Sequence, residues 1–294
     1  MSSRNRIPPT IEPFLRLPPE TALLLFTSTL GCSVNWATTR FIGNLITQTR
    51  DEEGVESQDE AVATAAVLLV SWVRDGAYWK TEVRRTMGVD VDKAALQGRF
   101  ALVDFLRRPP SSLNGGGGGS AAGEEALLAE MERSIVSSLE KLRNVNNAQK
   151  VVLVLDNPDV LLALNAVSAP SLARFVLKLR SQVYSSAVIC SADAPLLAAA
   201  DAAPEVPPTP IETETAAFLV QQAHNARFVM SVRELDTGAA KDVSGVLRLT
   251  KGGSAYSDED EQQRKDGLTE LEALYVVQRD GVVKVFGRGS SEGA

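Results

Sequence analysis

The run Ala66–Val73 (AVLLVSWV) is apolar at nearly every position, and a strand with that pattern must be covered on both faces. Comparable runs recur at Leu23–Thr29 (LLLFTST), Phe100–Leu106 (FALVDFL), Val151–Leu155 (VVLVL) and Ala187–Ser191 (AVICS). Helical patterns lie between them, over Val34–Thr47, Ala77–Met87, Glu124–Arg143 and Ser168–Tyr184. Strands that alternate with helices pack as a mainly parallel sheet flanked on both sides, so the fold class is α/β. The closing third changes character. Arg227–Leu235, Val243–Leu249, Ala273–Val277 and Val282–Phe286 are strand-like, and Asp280-Gly281 between the last two signals a hairpin. Antiparallel strands are therefore expected to extend the sheet.

The first strand, the loop Leu30–Asn35 and the following helix have the layout of a P-loop nucleotide-binding fold. A working loop reads G-x-x-x-x-G-K-[ST], so that backbone N–H groups cradle phosphates, lysine neutralises them and a hydroxyl holds magnesium. Here Gly31 is the one glycine of the loop, and no lysine occurs before Lys80. Arg40 lies too far along the helix to replace it. The scaffold is expected without its nucleotide chemistry.

The chain has 294 residues and a formal net charge of −7, which argues against nucleic-acid binding by the protein as a whole. Much of the acidity sits in Asp51–Glu60 and Asp258–Glu261, so a folded face can still be basic. The cysteines are Cys32 and Cys190, in apolar contexts and without C-x-x-C spacing. They read as small core residues of a reducing compartment. No apolar run reaches membrane-span length and no secretory signal is seen, so the expected location is cytoplasmic or nuclear, with no membrane partner. Residues 1–20, with Pro8-Pro9 and Pro18-Pro19, read as an extended arm before one domain over 21–294. Loops at 50–60, 107–123, 198–210 and 254–266 are expected to be disordered; Arg107–Gly123 (RRPPSSLNGGGGGSAAG) has the composition of a flexible linker.

Asp156 ends an apolar strand, as does the magnesium-holding aspartate of a nucleotide site. Without a phosphate loop, the structural use is favoured: caps for the turn Asn157-Pro158-Asp159. Asp104 fits the pattern less well. Arg74, Lys80, Arg84 and Arg85 form either a solvated helix face or a phosphate-contacting patch. Trp72, Tyr78 and Trp79 read as packing residues or a subunit contact. His224 is the only histidine, which leaves a zinc site or a catalytic triad without support. No catalytic, cofactor-binding or metal-ligating residue is assigned, and no cofactor.

Taken in order, Leu23–Asn35, Tyr78-Trp79, Gly88-Val89-Asp90, Gln97–Phe100, Val151–Asp156, Thr237-Gly238, Asp242–Arg248, Tyr275–Gln278 and Phe286–Gly289 resemble the Elongator complex protein 6 family. The resemblance implies a RecA-like (P-loop NTPase-type) fold without functional Walker motifs. It implies a non-catalytic subunit that forms a hetero-hexameric ring with Elongator subunits 4 and 5, alongside the remaining subunits. That ring binds tRNA and supports carboxymethyl-type modification of the wobble uridine (U34). Arg233, Lys241, Arg248 and Lys251 are candidate tRNA contacts on charge alone. The competing readings are a divergent RecA-like ATPase using Asp156 and a DNA recombination-mediator paralogue.

Overall fold

The computed structural model describes residues 7–47, 65–115, 120–146, 150–200, 207–238, 240, 242–256 and 269–287. In chain order the elements are β1 (Leu23–Ser28), α1 (Asn35–Thr47), β2 (Ala65–Ser71), α2 (Gly76–Met87), α3 (Val91–Leu96), β3 (Phe100–Asp104) and α4 (Ala121–Asn146). Then come β4 (Lys150–Asp156), α5 (Val160–Ala163), α6 (Ala169–Arg180), β5 (Ser185–Ser191), α7 (Ala194–Leu197) and α8 (Pro210–Asn225). The chain closes with β6 (Phe228–Arg233), β7 (Gly245–Lys251), β8 (Leu271–Val277) and β9 (Val283–Gly287).

The nine strands among the described residues join one sheet in the order β3-β2-β4-β5-β1-β6-β7-β8-β9. The strands from β3 across to β6 pair in parallel, and β6 to β9 pair antiparallel. This is the α/β layout expected, with its antiparallel extension. β2 is buried along its whole length, because helices cover both faces. On one face Leu24 and Phe26 of β1 pack with Phe41, Ile42 and Leu45 of α1 and with Trp79 and Val83 of α2. On the other, Leu23 and Leu25 meet Ile135 of α4, Val176 of α6 and Phe218 of α8. Connections running toward β3 use the first face and those running back use the second, as right-handed crossovers require.

Packing settles the aromatic residues. Trp79 is fully buried among α1 and α2, while Trp72 lies against Phe105 on the opposite face. Both are core residues. Cys32 and Cys190 are free and buried. At the end of the sheet, Gly281 takes φ +87°, and Gln278 N–H donates to the Val282 carbonyl at 2.8 Å. That closes the expected β8–β9 hairpin, since a glycine accepts this left-handed conformation without strain. The Gly281 carbonyl accepts from Arg40 Nη2 at 2.5 Å. Arg40, fully buried, thus pins the hairpin onto α1.

Three expectations change. The described part of the amino-terminal arm is not a free extension: Glu12–Leu15 forms a short 3-10 helix that buries Phe14 and Leu15, and Phe14 packs edge-on against Phe228 at 5.2 Å. The stretch read as a linker is partly built. Its first part continues into a 3-10 turn at Ser111–Gly115, and the serines Ser111 and Ser112 donate hydroxyl and backbone bonds to Glu130. α4 begins at Ala121, three residues before the expected start. Within 198–210, α8 starts at Pro210 behind a Thr209–Glu212 capping box. The loop expected at 50–60 lies outside the described residues, as does 257–266 of the last one. Among the described residues no helix is long and apolar enough to cross a membrane.

Removing the largest fully buried side chain should test the α1–α2 face. Trp79→Ala is expected to cost about 3–5 kcal/mol of unfolding free energy, read from the urea midpoint at unchanged slope.

Candidate functional site: the carboxyl end of the sheet

In open α/β sheets ligands bind beyond the carboxyl ends of the strands, where neighbouring strands send their helices to opposite faces. Three adjacent pairs here do so: β1 with β5, β2 with β4, and β2 with β3. The loop after β1 borders the first crevice. It is folded on itself, with Cys32 N–H donating to the Thr29 carbonyl at 2.9 Å and Thr29 N–H donating to Val232 of β6 at 3.2 Å. Leu30 N–H donates to Asp193 Oδ1 at 2.6 Å, and Asn35 N–H to Ser33 Oγ at 3.2 Å. Gly31 has φ +88°, and a Cβ there would fall 1.9 Å from Glu234 Oε1. The carboxylates of Asp193 and Glu234 therefore lie against the loop, and several of its amide donors are committed. A phosphate cradle needs free N–H groups and a cation; in this loop an aspartate takes the Leu30 N–H and no lysine is present.

The second crevice holds Asp156, fully buried at the end of β4. Its Oδ2 accepts from Ser71 Oγ of β2 at 2.6 Å, and its Oδ1 accepts from Arg74 Nη1 at 2.5 Å. The same nitrogen donates to Asn157 Oδ1 at 3.0 Å. Asn35, the first residue of α1, turns its amide oxygen to accept from Arg74 Nε at 3.0 Å and from the Tyr78 hydroxyl at 2.8 Å. The guanidinium carbon also stands 5.7 Å from the centre of the Tyr78 ring, within cation–π range. Arg74 thus bridges the carboxylate at the end of β4 and the amino terminus of α1. In a nucleotide site, the metal spans those two places. Both Asp156 oxygens are taken, and a guanidinium stands where a divalent cation would bind. These residues do not fit a magnesium–triphosphate.

Burial pushes the Asp156 carboxyl above its ordinary value, against the pull of Arg74 and Ser71. Asp159 lies just beyond, its Oδ2 accepting from Ser191 N–H at 3.0 Å. Burial raises its carboxyl to about 6, with the Ser191 and Asn157 hydrogen bonds opposing. Burial, together with Asp159, also pushes the Cys190 thiol well up. Asn157 makes the intervening turn at φ +56°, a conformation asparagine tolerates better than most residues.

The remaining candidates have local work. Asp104 accepts from Gly76 N–H at 2.8 Å and from Arg107 N–H at 2.9 Å. Asp75 caps α2 by accepting from Tyr78 N–H and pairs with Arg107 at 2.9 Å. Of the basic patch, Arg74 is engaged with Asp156, Lys80 pairs with Asp92, and Arg85 pairs with Glu82 at 2.6 Å. Arg84 is exposed on α2. The solvated-face reading holds for α2, while Arg74 belongs to the interior. His224 is exposed in the last turn of α8.

The tRNA-contact candidates separate. Arg233 of β6 and Arg248 of β7 share one face, since Arg233 stands opposite Val246 and Arg248 opposite Ser231. Arg233 is held by Asp236 at 2.6 Å. Lys251 alternates onto the other face, and Lys241 lies outside the described residues. What the sequence reading missed are Arg74 as the internal cation, Asn35, Asp193 and Glu234. They come from four different segments, and no local spacing announces their meeting.

No protein-family model matches the chain, and no curated protein does. Among solved structures, a KaiC-like protein from the hyperthermophilic archaeon Pyrococcus horikoshii OT3 is similar at TM-score 0.48 and 15% identity, covering 96% of this chain and 97% of that one.

Arg74→Ala strands a buried carboxylate and is expected to cost about 3–5 kcal/mol, whereas Arg74→Met with Asp156→Leu should recover most of that loss. Urea unfolding of the single and double variants decides it. The raised carboxyl of Asp159 sets a second outcome. Between its unfolded value near 4 and about 6, the folded chain holds a proton that the unfolded chain has released. Stability from this group therefore falls as pH rises through that window and levels off above it. The unfolding free-energy difference between wild type and Asp159→Asn should shift by about 2 kcal/mol from pH 4 to pH 7.

Proposed function

We propose that the chain is a non-catalytic RecA-like subunit of an Elongator assembly, joined with subunits 4 and 5 in a hetero-hexameric ring. In this reading it helps the ring hold tRNA for carboxymethyl-type modification of the wobble uridine by a separate catalytic subunit. The chain itself hydrolyses no nucleotide, needs no cofactor, and works in the cytoplasm or nucleus.

The observation that carries the non-catalytic part is Arg74 fixed between Asp156 and Asn35. The parallel strand order is kept, while the position of the metal is filled by the chain's own cation and two carboxylates lie on the loop. A sheet end neutralised in this way can persist as a scaffold after ligand binding is lost, since a buried carboxylate needs only some counter-charge and hydrogen bonds. The Elongator part draws on the ordered sequence resemblance, from Leu23–Asn35 to the closing hairpin.

Co-expression with Elongator subunits 4 and 5, followed by mass measurement, should yield a hetero-hexamer containing this chain. The purified chain alone should bind ATP no better than background. Saturable, magnesium-dependent ATP binding by the isolated chain would overturn the non-catalytic reading, and failure to co-purify would overturn the ring assignment.

A further inference from the structure

The opposite end of the sheet carries a different charge pattern. Main-chain bonds bring the residues at this end of the strands side by side: Tyr184 N–H donates to Val151, Thr21 N–H to Tyr184 and Arg227 N–H to Leu23 where the pairing is parallel, and Gly252 N–H, just after antiparallel β7, donates to Arg227. Along that line stand Lys150 at the start of β4, Arg227 before β6 and Lys251 at the end of β7. With strands ~4.8 Å apart, Lys150 and Lys251 span roughly 19 Å. Arg16 joins them from the amino-terminal arm, and it lines a groove of about 370 Å³ with Arg227, Tyr184, Pro18 and Pro19. Lys150 lies 5.3 Å from the centre of the Tyr184 ring.

Part of the basic character at this end has a structural cause. α1, α4, α6 and α8 all finish here, and cations near helix carboxyl termini offset the helix dipoles. That accounts for Arg143 and Arg180, in or near the last turns of α4 and α6, whose guanidinium groups donate to the Gln182 and Thr21 carbonyls. It does not account for Arg16, Lys150, Arg227 or Lys251, which sit on the arm and on strand ends. Among the described residues, the carboxylates near them include Glu12, paired with Arg16 at 2.8 Å, Glu20, and Glu270, which accepts from Lys251 N–H at 3.0 Å. In a chain of net charge −7, a row of cations aligned by main-chain pairing is a local feature and not a consequence of composition.

We propose that this amino end of the sheet is an RNA contact: Lys150, Arg227, Lys251 and Arg16 meet successive phosphates, and the Tyr184 ring with the proline-walled groove receives an unpaired base. Phosphate contacts of this kind position the nucleic acid without reading sequence, and an aromatic platform beside a row of cations is how single-stranded stretches are held. A lipid surface would use the same cations but would leave the groove and Tyr184 without a role. The inference rests on the RNA-binding reading above and places the contact away from Arg233 and Arg248.

The test uses the full chain, alone and co-expressed with subunits 4 and 5, with an unmodified tRNA transcript titrated at several salt concentrations. Lys150→Glu with Lys251→Glu should weaken binding at least about tenfold and reduce the slope of log affinity against log salt by about 2. Arg16→Glu with Lys251→Glu alters two exposed side chains and should weaken binding in the same direction while the thermal midpoint stays put. Tyr184→Ala should weaken binding without changing the slope. If tRNA binds the wild type but these variants match it, and Arg233→Glu with Arg248→Glu weakens binding instead, the inference fails and the functional reading stands. If no wild-type form binds tRNA, the functional reading fails as well; binding to phosphatidylserine vesicles in that case would reassign the row to a membrane.

Discussion

The pairing of Arg74 with Asp156 is the constraint around which the carboxyl end of this sheet is arranged. A carboxylate at the end of a doubly covered parallel strand has no access to water, so it must be protonated, paired, or fully hydrogen-bonded. Ser71 takes one oxygen and Arg74 the other. The guanidinium then has donors to spare, and Asn157 and Asn35 accept from them. Through these bonds β2, β4 and the amino terminus of α1 are tied at one point. These elements converge on an arginine, and the crevice is a rigid corner whose buried carboxylate is paired from within.

The same logic runs through the neighbouring crevice with the opposite sign. Asp193 and Glu234 project from the segments after β5 and β6 onto the loop after β1. Asp193 accepts from the Leu30 N–H, and Glu234 packs against the Cα of Gly31. The loop before α1 is thus lined by the chain's own carboxylates.

How much of this the sequence disclosed depends on the range of each interaction. Strands buried on both faces announce themselves, because residues 65–70 and Val151–Leu155 are apolar at consecutive positions. The mainly parallel character of the sheet followed from alternation with helices, and the hairpin from Asp280-Gly281, whose glycine does take a positive φ. Asp156 was visible as a terminal carboxylate. Its partner was not, for Arg74 is equally at home on an exposed helix entry, and only the β2–β4 register, with Ser71 opposite Asp156, brings them together. Short elements such as α3, α5 and α7 span too few turns to show a period. Ser111 and Ser112 looked like linker because composition carries no trace of Glu130 on the next helix. The amino-terminal arm misled in the same way: its prolines suggest extension, yet Ile11, Phe14 and Leu15 are drawn into the core.

A net charge is a poor guide to such a molecule because its charges are sorted by the fold. Parallel topology sends the beginnings of β1 to β6 to one end, together with the carboxyl ends of the helices that lead into them. Cations suit that end through the helix dipoles, and carboxylates suit the other through capping and turns, as Asp75 and Asp104 show. The carboxyl end has matched its carboxylates with Arg74 and Arg107. At the amino end, main-chain pairing brings Lys150, Arg227 and Lys251 into line, so the fold itself sorts these cations to the end of the sheet away from Asp156.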